Sequence, residues 1–245
     1  MTVLFTPWYR RIPTRSAGTC DQPGSAEPTA ILDHRSSAIS HLVKRSHQSA
    51  GSDDPVAILR EGHSIIRDEV RAVYALEERT PVSHVFSRGF GSCSQRLAVL
   101  ESVARALGIQ TRVRALLIDR SFWYPRFPRT KFALPDQMLL AWPEFRINQW
   151  KPDQWTPASE LFGSIGCRGG GSFTNSGSET LFEAVGRCAV DWDGREAGGT
   201  HDLSHFIRAD HGYFANRDDA FAVLGQTLCG PSRLVADPLL RRISA

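Results

Sequence analysis

The region between residues 89 and 119 constrains the fold most, because a glycine-rich loop leads into a helical pattern and then into a strand pattern. The loop Gly89-Phe90-Gly91-Ser92 brings Cys93 to the first turn of the predicted helix. Apolar residues then recur at the spacing of one helix face, namely Leu97, Leu100, Val103, Ala104 and Leu107. Gly108 ends the helix, and residues 110–119 alternate as a strand does. The pattern predicts a helix packed on a sheet, with a thiol at the helix start.

Cys93 is the first candidate for a catalytic residue. Unpaired N–H groups at a helix start, together with the helix dipole, favour a thiolate over a thiol and so make a cysteine more nucleophilic. The alternative is structural, because a buried thiol is also a good small core residue. Both interpretations of Cys93 stay open at the level of sequence.

The run GFGSCSQRLAVLESVARALGIQTRVRALLID, residues 89–119, resembles the core of the transglutaminase-like superfamily. The resemblance implies an α+β, papain-like fold in which an antiparallel sheet packs against the helix that carries the cysteine, and it places Cys93 at the nucleophile position. Residues 191–195 and 208–214 resemble segments beyond the core of bacterial transglutaminase-like proteins, so the resemblance covers residues 54–225.

The chain departs from the family pattern at the second catalytic element. The family continues with a strand of the form His-Ala-Trp-x-Glu-Val, whereas this chain reads Leu139-Leu140-Ala141-Trp142-Pro143-Glu144-Phe145. Leu140 therefore occupies the histidine position, or Gln137 in another register, and neither side chain can accept a proton. The triad acid is replaced by Ser159 in the better alignment, and Asp153 keeps an acid in the poorer one. His84 and His211 are candidates for a replacement base, although a structural role suits both.

Strand alternation puts Leu140, Trp142 and Glu144 on one face, which we expect to be the Cys93 side. A leucine beside the thiol removes water from it and is expected to raise its pKa. Pro143 lacks a ladder donor, so we expect a bulge or missing pairing there. Residues 120–132 mix aromatic and basic side chains, including Trp123, and form either a loop that covers substrate or a structural flap. The predicted site thus has Cys93 as nucleophile, with Leu140, Trp142, Glu144 and Trp123 binding substrate.

Composition excludes several classes of protein. The net charge of +3 is too small to indicate nucleic-acid binding, and no apolar run reaches the ~18–20 residues that cross a bilayer. Five scattered cysteines argue against a disulfide framework, so we expect the protein to be located in the reducing cytoplasm. Cys188, His201 and His205 match only the later half of a zinc-finger spacing, so we expect no metal and no cofactor.

The predicted organisation has three parts. Residues 1–53 form a flexible arm, poor in large apolar groups over residues 12–27, with a possible helix from Ala30 to His47. Residues 54–228 form the transglutaminase-like domain, with a helix of some two dozen residues from Pro55, a short helix at 81–86 and a loop at 163–177. Residues 229–245 form a C-terminal tail.

Two functions remain open. The first is thiol-based acyl or amide transfer through Cys93, on a small-molecule, peptide or carrier-bound substrate. The second is a catalytically inactive module that binds a peptide or protein partner in the former cleft. The missing base favours the second function, whereas the retained cysteine and its glycine loop favour the first. The sequence does not give the oligomeric state.

Overall fold

A central helix that starts at Cys93 packs against an antiparallel sheet in the computed structural model, which describes residues 22–129, 131–147, 154–163, 171, 173–187, 190–195, 202–227 and 237–238. The helices are α1 (Ser37–Ala50), α2 (Pro55–Glu69), α3 (Val82–Arg88), α4 (Cys93–Ala106), α5 (Leu181–Arg187) and α6 (Arg217–Val223). The strands are β1 (Arg71–Ala72), β2 (Phe90–Gly91), β3 (Thr111–Asp119), β4 (Gln137–Phe145), β5 (Thr156–Pro157) and β6 (Ile207–Phe214). The predicted α+β class is confirmed.

The sheet has the strand order β5-β4-β3-β6, with β3 and β4 paired antiparallel along their full length. The predicted bulge at Pro143 is absent from this ladder, where Pro143 lies opposite Val113 without a shift in register. Arg146 donates from its backbone to Gln110, so by alternation the Pro143 nitrogen points away from β3. It faces the β5 side, where pairing begins only at Glu144. The proline therefore costs no hydrogen bond between the two longest strands.

A reciprocal cap fixes the start of α4. The Ser92 hydroxyl accepts from the Gln95 backbone at 3.1 Å, and the Gln95 side chain accepts from the Ser92 backbone at 3.1 Å. Gly91 lets the chain pass close to α3, since a β-carbon there would lie 2.8 Å from a Val85 methyl. Gly89 ends α3 with a φ of 71°. The glycine loop therefore positions Cys93 as the first residue of α4.

Helix α2 ends earlier than the sequence pattern predicts. Asp54 caps it and Pro55 is its first residue, as expected, but it stops at Glu69 after 15 residues. Val70 is extended, and β1 then pairs in parallel with β2. The apolar residues that continue the pattern, Val70 and Val73, are fully buried in this extended segment instead. A buried strand and a buried helix face cannot be told apart from so short an apolar run.

The segment before α2 is part of the packed body. Ile31 and Leu32 are buried, as are Ile39 and Leu42 of α1. Helix α1 spans Ser37–Ala50, so it begins later and ends later than the helix predicted from Ala30 to His47. The suggested division at residue 54 therefore does not coincide with a break in the packing. Of the predicted arm over residues 12–27, residues 12–21 lie outside the described residues, as do parts of the 163–177 loop and most of the C-terminal tail.

The aromatic segment after β3 is only partly buried. Short 3-10 helices cover Arg120–Trp123 and Lys131–Ala133. Phe122 is buried and its ring contacts those of Trp123, Phe173 and Phe206, whereas Phe132 is 84% exposed. The segment therefore caps the sheet through Phe122, while Phe132 points into solvent. No helix within the described ranges is long and apolar enough to span a membrane.

We predict that Ser92→Ala lowers the free energy of unfolding by about 1 kcal/mol, because it removes half of the reciprocal cap. Urea unfolding followed by circular dichroism measures this change. Ser87→Ala, at an exposed position of α3, is the matched control and is expected to stay within about 0.5 kcal/mol of the wild type. Equal stability of the two variants would contradict the prediction.

Candidate functional site

Cys93 faces a cavity of about 120 Å³ at the start of α4. The walls come from residues 73–78, the first turn of α4, the aromatic segment, the beginning of β4 and residues 175–181. A cavity of only ~10–15 Å³ already holds one water molecule, so this cavity has room for a small organic molecule. Most of the walls are apolar, and the Cys93 side chain is half-buried among them.

The structure brings together only some of the predicted site residues. Leu140 and Trp123 line the same cavity as Cys93. Trp142 lines a separate and much smaller cavity of about 10 Å³, together with Ser159 and other residues. Glu144 lies further along β4, where its carboxylate accepts from Arg112 at 2.8 Å. If Trp142 or Glu144 contacts a ligand, it therefore does so away from the Cys93 thiol.

The surroundings of Cys93 oppose ionisation. Burial among apolar groups and the nearby carboxyl of Glu78 raise the pKa of the Cys93 thiol to about 11, although Arg126 and Arg96 act in the opposite direction. Near pH 7 the Cys93 side chain is therefore a thiol, and not the thiolate that a helix start was expected to favour. Leu140 was expected to raise the thiol pKa by excluding water, and the raised pKa agrees with that expectation in direction.

Glu78 is the acidic group of the cavity, and sequence reasoning missed it. Its carboxyl interacts with Ser92, at 3.5 Å, and with Ser94, the two residues that flank Cys93. Burial raises the Glu78 pKa, while Ser94 and the nearby Arg217 lower it. In the sequence Glu78 belongs to the polar run Glu77-Glu78-Arg79, which carries no signal of burial. Only the fold places it beside the thiol.

A single guanidinium joins two parts of the cavity wall. Arg126 donates to the Asn175 side chain at 2.6 Å, to the Gly177 carbonyl at 3.3 Å and to the Glu179 carbonyl. Asn175 in turn donates to the Phe122 carbonyl at 2.5 Å and is buried with a positive φ of 49°. Arg126 thus ties residues 175–179 to the aromatic segment, and we call these contacts the Arg126 clasp.

No histidine of the described segments lines the Cys93 cavity. His84 is exposed on α3. His211 lies half-buried on β6, where burial lowers its pKa. His63 is buried behind α5, stacked on Phe182, with its pKa lowered to about 4 by burial. Asp153 and His201 lie outside the described residues.

Candidate metal ligands do not cluster in the part of the chain that the structure covers, where no group of three or more His, Cys, Asp or Glu could hold an ion. Of the half zinc-finger pattern, Cys188 and His201 fall outside that part. His205 is an exposed residue whose ring contacts that of Phe206 at a tilt of 41°.

We predict slow alkylation of Cys93 by iodoacetamide at pH 7, about 100-fold slower than a free cysteine, because a thiol with a pKa near 11 is almost entirely protonated there. The rate is expected to keep rising between pH 7 and 9.5 without a plateau. Peptide mapping by mass spectrometry separates Cys93 from the other four cysteines. A plateau below pH 9 would show that the thiolate is stabilised after all.

We also predict that Leu140→His speeds Cys93 alkylation at pH 7 about tenfold, because an imidazole in the same cavity can stabilise the thiolate. Leu140→Asn is the matched control, since it is polar but cannot accept the proton, and its rate is expected to stay close to that of the wild type. If both variants react equally fast, polarity and not the imidazole is responsible.

Comparison with known proteins agrees with this geometry. A sequence profile described as the transglutaminase-like superfamily matches residues 43–159, which run from α1 through the Cys93 helix and both central strands to Ser159. No curated protein and no solved structure gives a significant match. The segment from residue 43 to residue 159 therefore belongs to the transglutaminase-like superfamily.

Proposed function

We propose that this chain is a transglutaminase-like binding protein that takes a small, largely apolar group into the Cys93 cavity and does not perform acyl transfer by a Cys-His-Asp triad. The observation that carries the proposal is Leu140, which lines the cavity beside a thiol whose pKa is raised to about 11. Thiol acyl transfer needs a base to take the proton and later return it to the leaving group. A leucine can do neither.

The size of the cavity restricts what it binds. A volume of about 120 Å³ accepts a molecule of the size of a small ring, or one apolar side chain of a peptide, but not an extended peptide segment. Leu139, Leu140 and Leu181 supply apolar contacts, and Phe122 and Trp123 supply aromatic ones. Such a mostly apolar enclosure with a few polar groups is typical of small-molecule sites.

Thiol-based acyl transfer remains a second candidate because Cys93 is in contact with the cavity and Glu78 is close enough to raise the thiol pKa. Glu78 would then have to take the thiol proton. Mass spectrometry after incubation with p-nitrophenyl acetate tests this candidate, with Cys93→Ser as the control. An acetyl group that accumulates on Cys93 within minutes at pH 7 would favour the enzyme over the binding protein.

The location and partners of the protein are part of the proposal. We infer a reducing, cytoplasmic environment from the scattered cysteines. The ligand is a free small molecule, or the apolar side chain of a peptide or protein partner. Neither nucleic acid nor a membrane is required, given the small net charge.

We predict that benzene and cyclohexane bind the wild-type protein and that Ala75→Leu abolishes this binding, because Ala75 lines the cavity and three added carbons occupy it. Saturation-transfer NMR on the two ligands measures binding. Leu140→Met, which conserves volume, is the control and is expected to retain it. Thermal unfolding establishes that both variants are folded. Lack of binding to the wild type, or undiminished binding to Ala75→Leu, would falsify the proposed site.

A further inference from the structure

Glu78 is the one acidic side chain on the described wall of the Cys93 cavity. It is held on one side by the two serines that flank Cys93, with Ser92 at 3.5 Å. The backbone N–H of Glu78 donates to the Gln226 side chain at 2.7 Å, which fixes the segment that carries it. The carboxyl is therefore a positioned group on an otherwise mostly apolar surface.

We propose that Glu78 determines the ligand specificity of this cavity by donating a hydrogen bond, as a carboxylic acid, to the carbonyl oxygen of a neutral and largely apolar ligand. The inference rests on the proposed binding function. It adds the chemical class of the ligand, a ketone, ester or amide whose apolar part fills the space beside Leu140.

The absence of a counter-ion favours the neutral acid. Glu78 makes no ion pair with any residue that the structure describes. Arg217 is the cation that lowers its pKa, but this guanidinium donates to Glu101 at 2.7 Å and to Ser94 at 3.2 Å and makes no ion pair with Glu78. A carboxylate without a partner is costly in an apolar enclosure, whereas a protonated carboxyl needs only ordinary hydrogen bonds.

The other charged groups near the cavity discriminate between ligand classes. Arg126 lines the cavity and makes no ion pair with the residues described there, so a cationic ligand would meet its positive charge, while Arg96 of α4 is paired with Glu183. An anionic ligand would find three of the five Arg126 N–H groups already used in the clasp and would repel any ionised form of Glu78. Glu77 adds a further negative charge that disfavours ionisation of Glu78. A neutral ligand with a hydrogen-bond acceptor avoids both costs.

The hydroxyls of the site leave a hydrogen-bond donor for the ligand. Arg217 donates to the Ser94 oxygen at 3.2 Å, so the Ser94 hydroxyl hydrogen is available to the carboxyl. The Ser92 oxygen accepts from the Gln95 backbone, so its hydrogen is available as well. Both serines can thus donate to Glu78, which by itself lowers its pKa; when the carboxyl is protonated, its own proton is left to point into the cavity.

Three ligands of similar size test the proposal: cyclohexanone, cyclohexane and cyclohexylamine. We expect cyclohexanone to bind the wild type at least about tenfold more tightly than cyclohexane, because it gains a hydrogen bond, and cyclohexylamine to bind more weakly than either. Saturation-transfer NMR titrations at pH 6 give the three dissociation constants. Ala75→Leu, which fills the cavity, controls for binding elsewhere.

Glu78→Gln separates a hydrogen-bond donor from a negative charge, because its amide donates but never ionises. We expect this variant to keep most of the preference for cyclohexanone, and Glu78→Leu to lose it. In the wild type the preference is expected to fall as the pH rises and Glu78 ionises, whereas in Glu78→Gln it is expected to be constant. The wild-type pH series needs no variant, so misfolding of either variant leaves the test intact.

The outcomes distinguish this inference from the proposed function. If none of the three ligands binds the wild type, the proposed function itself is wrong. If cyclohexane and cyclohexanone bind equally at every pH, the cavity binds ligands but Glu78 does not select them. Preferred binding of cyclohexylamine, lost in Glu78→Gln, would overturn the inference in favour of a carboxylate that binds amines.

Discussion

The burial of α4 on all sides is the constraint on which the rest of the structure depends. Twelve of its fourteen residues are buried, including Arg96, Glu101 and Arg105. Charged groups in such a place are tolerated only when they are paired and hydrogen-bonded. Arg96 accordingly pairs with Glu183 of α5, and Glu101 accepts from Arg217 of α6 at 2.7 Å. The charges on α4 therefore dictate where α5 and α6 dock.

The sequence predicted the apolar half of this arrangement. The stripe through Leu97, Leu100 and Val103 correctly identified α4, and alternation identified β3 and β4, because these signals depend only on local periodicity. The opposite face of α4, with Arg96 and Arg105, looks solvent-exposed in the sequence. Its partners lie far along the chain, Arg217 being 116 residues from Glu101. No local pattern reports a pairing over that distance.

The candidate site could likewise be predicted only in part. The position of Cys93 at a helix start could be predicted, since it follows from Ser92, the glycines and the helix pattern. Its chemical state could not, because it depends on the balance of two opposing effects. The helix dipole acts with about half a unit charge and favours the thiolate. Burial among mostly apolar walls, with the Glu78 carboxyl nearby, acts in the opposite direction and dominates.

The Arg126 clasp has a kinetic consequence. Three donor groups of one guanidinium tie residues 175–179 to the aromatic segment, and they share a single side chain. Opening this wall means that all three contacts break in one event, and that Asn175 gives up its bond to the Phe122 carbonyl as well. A molecule that passes through this wall therefore has to wait for the local opening, so weakening the clasp is expected to speed both its entry and its release.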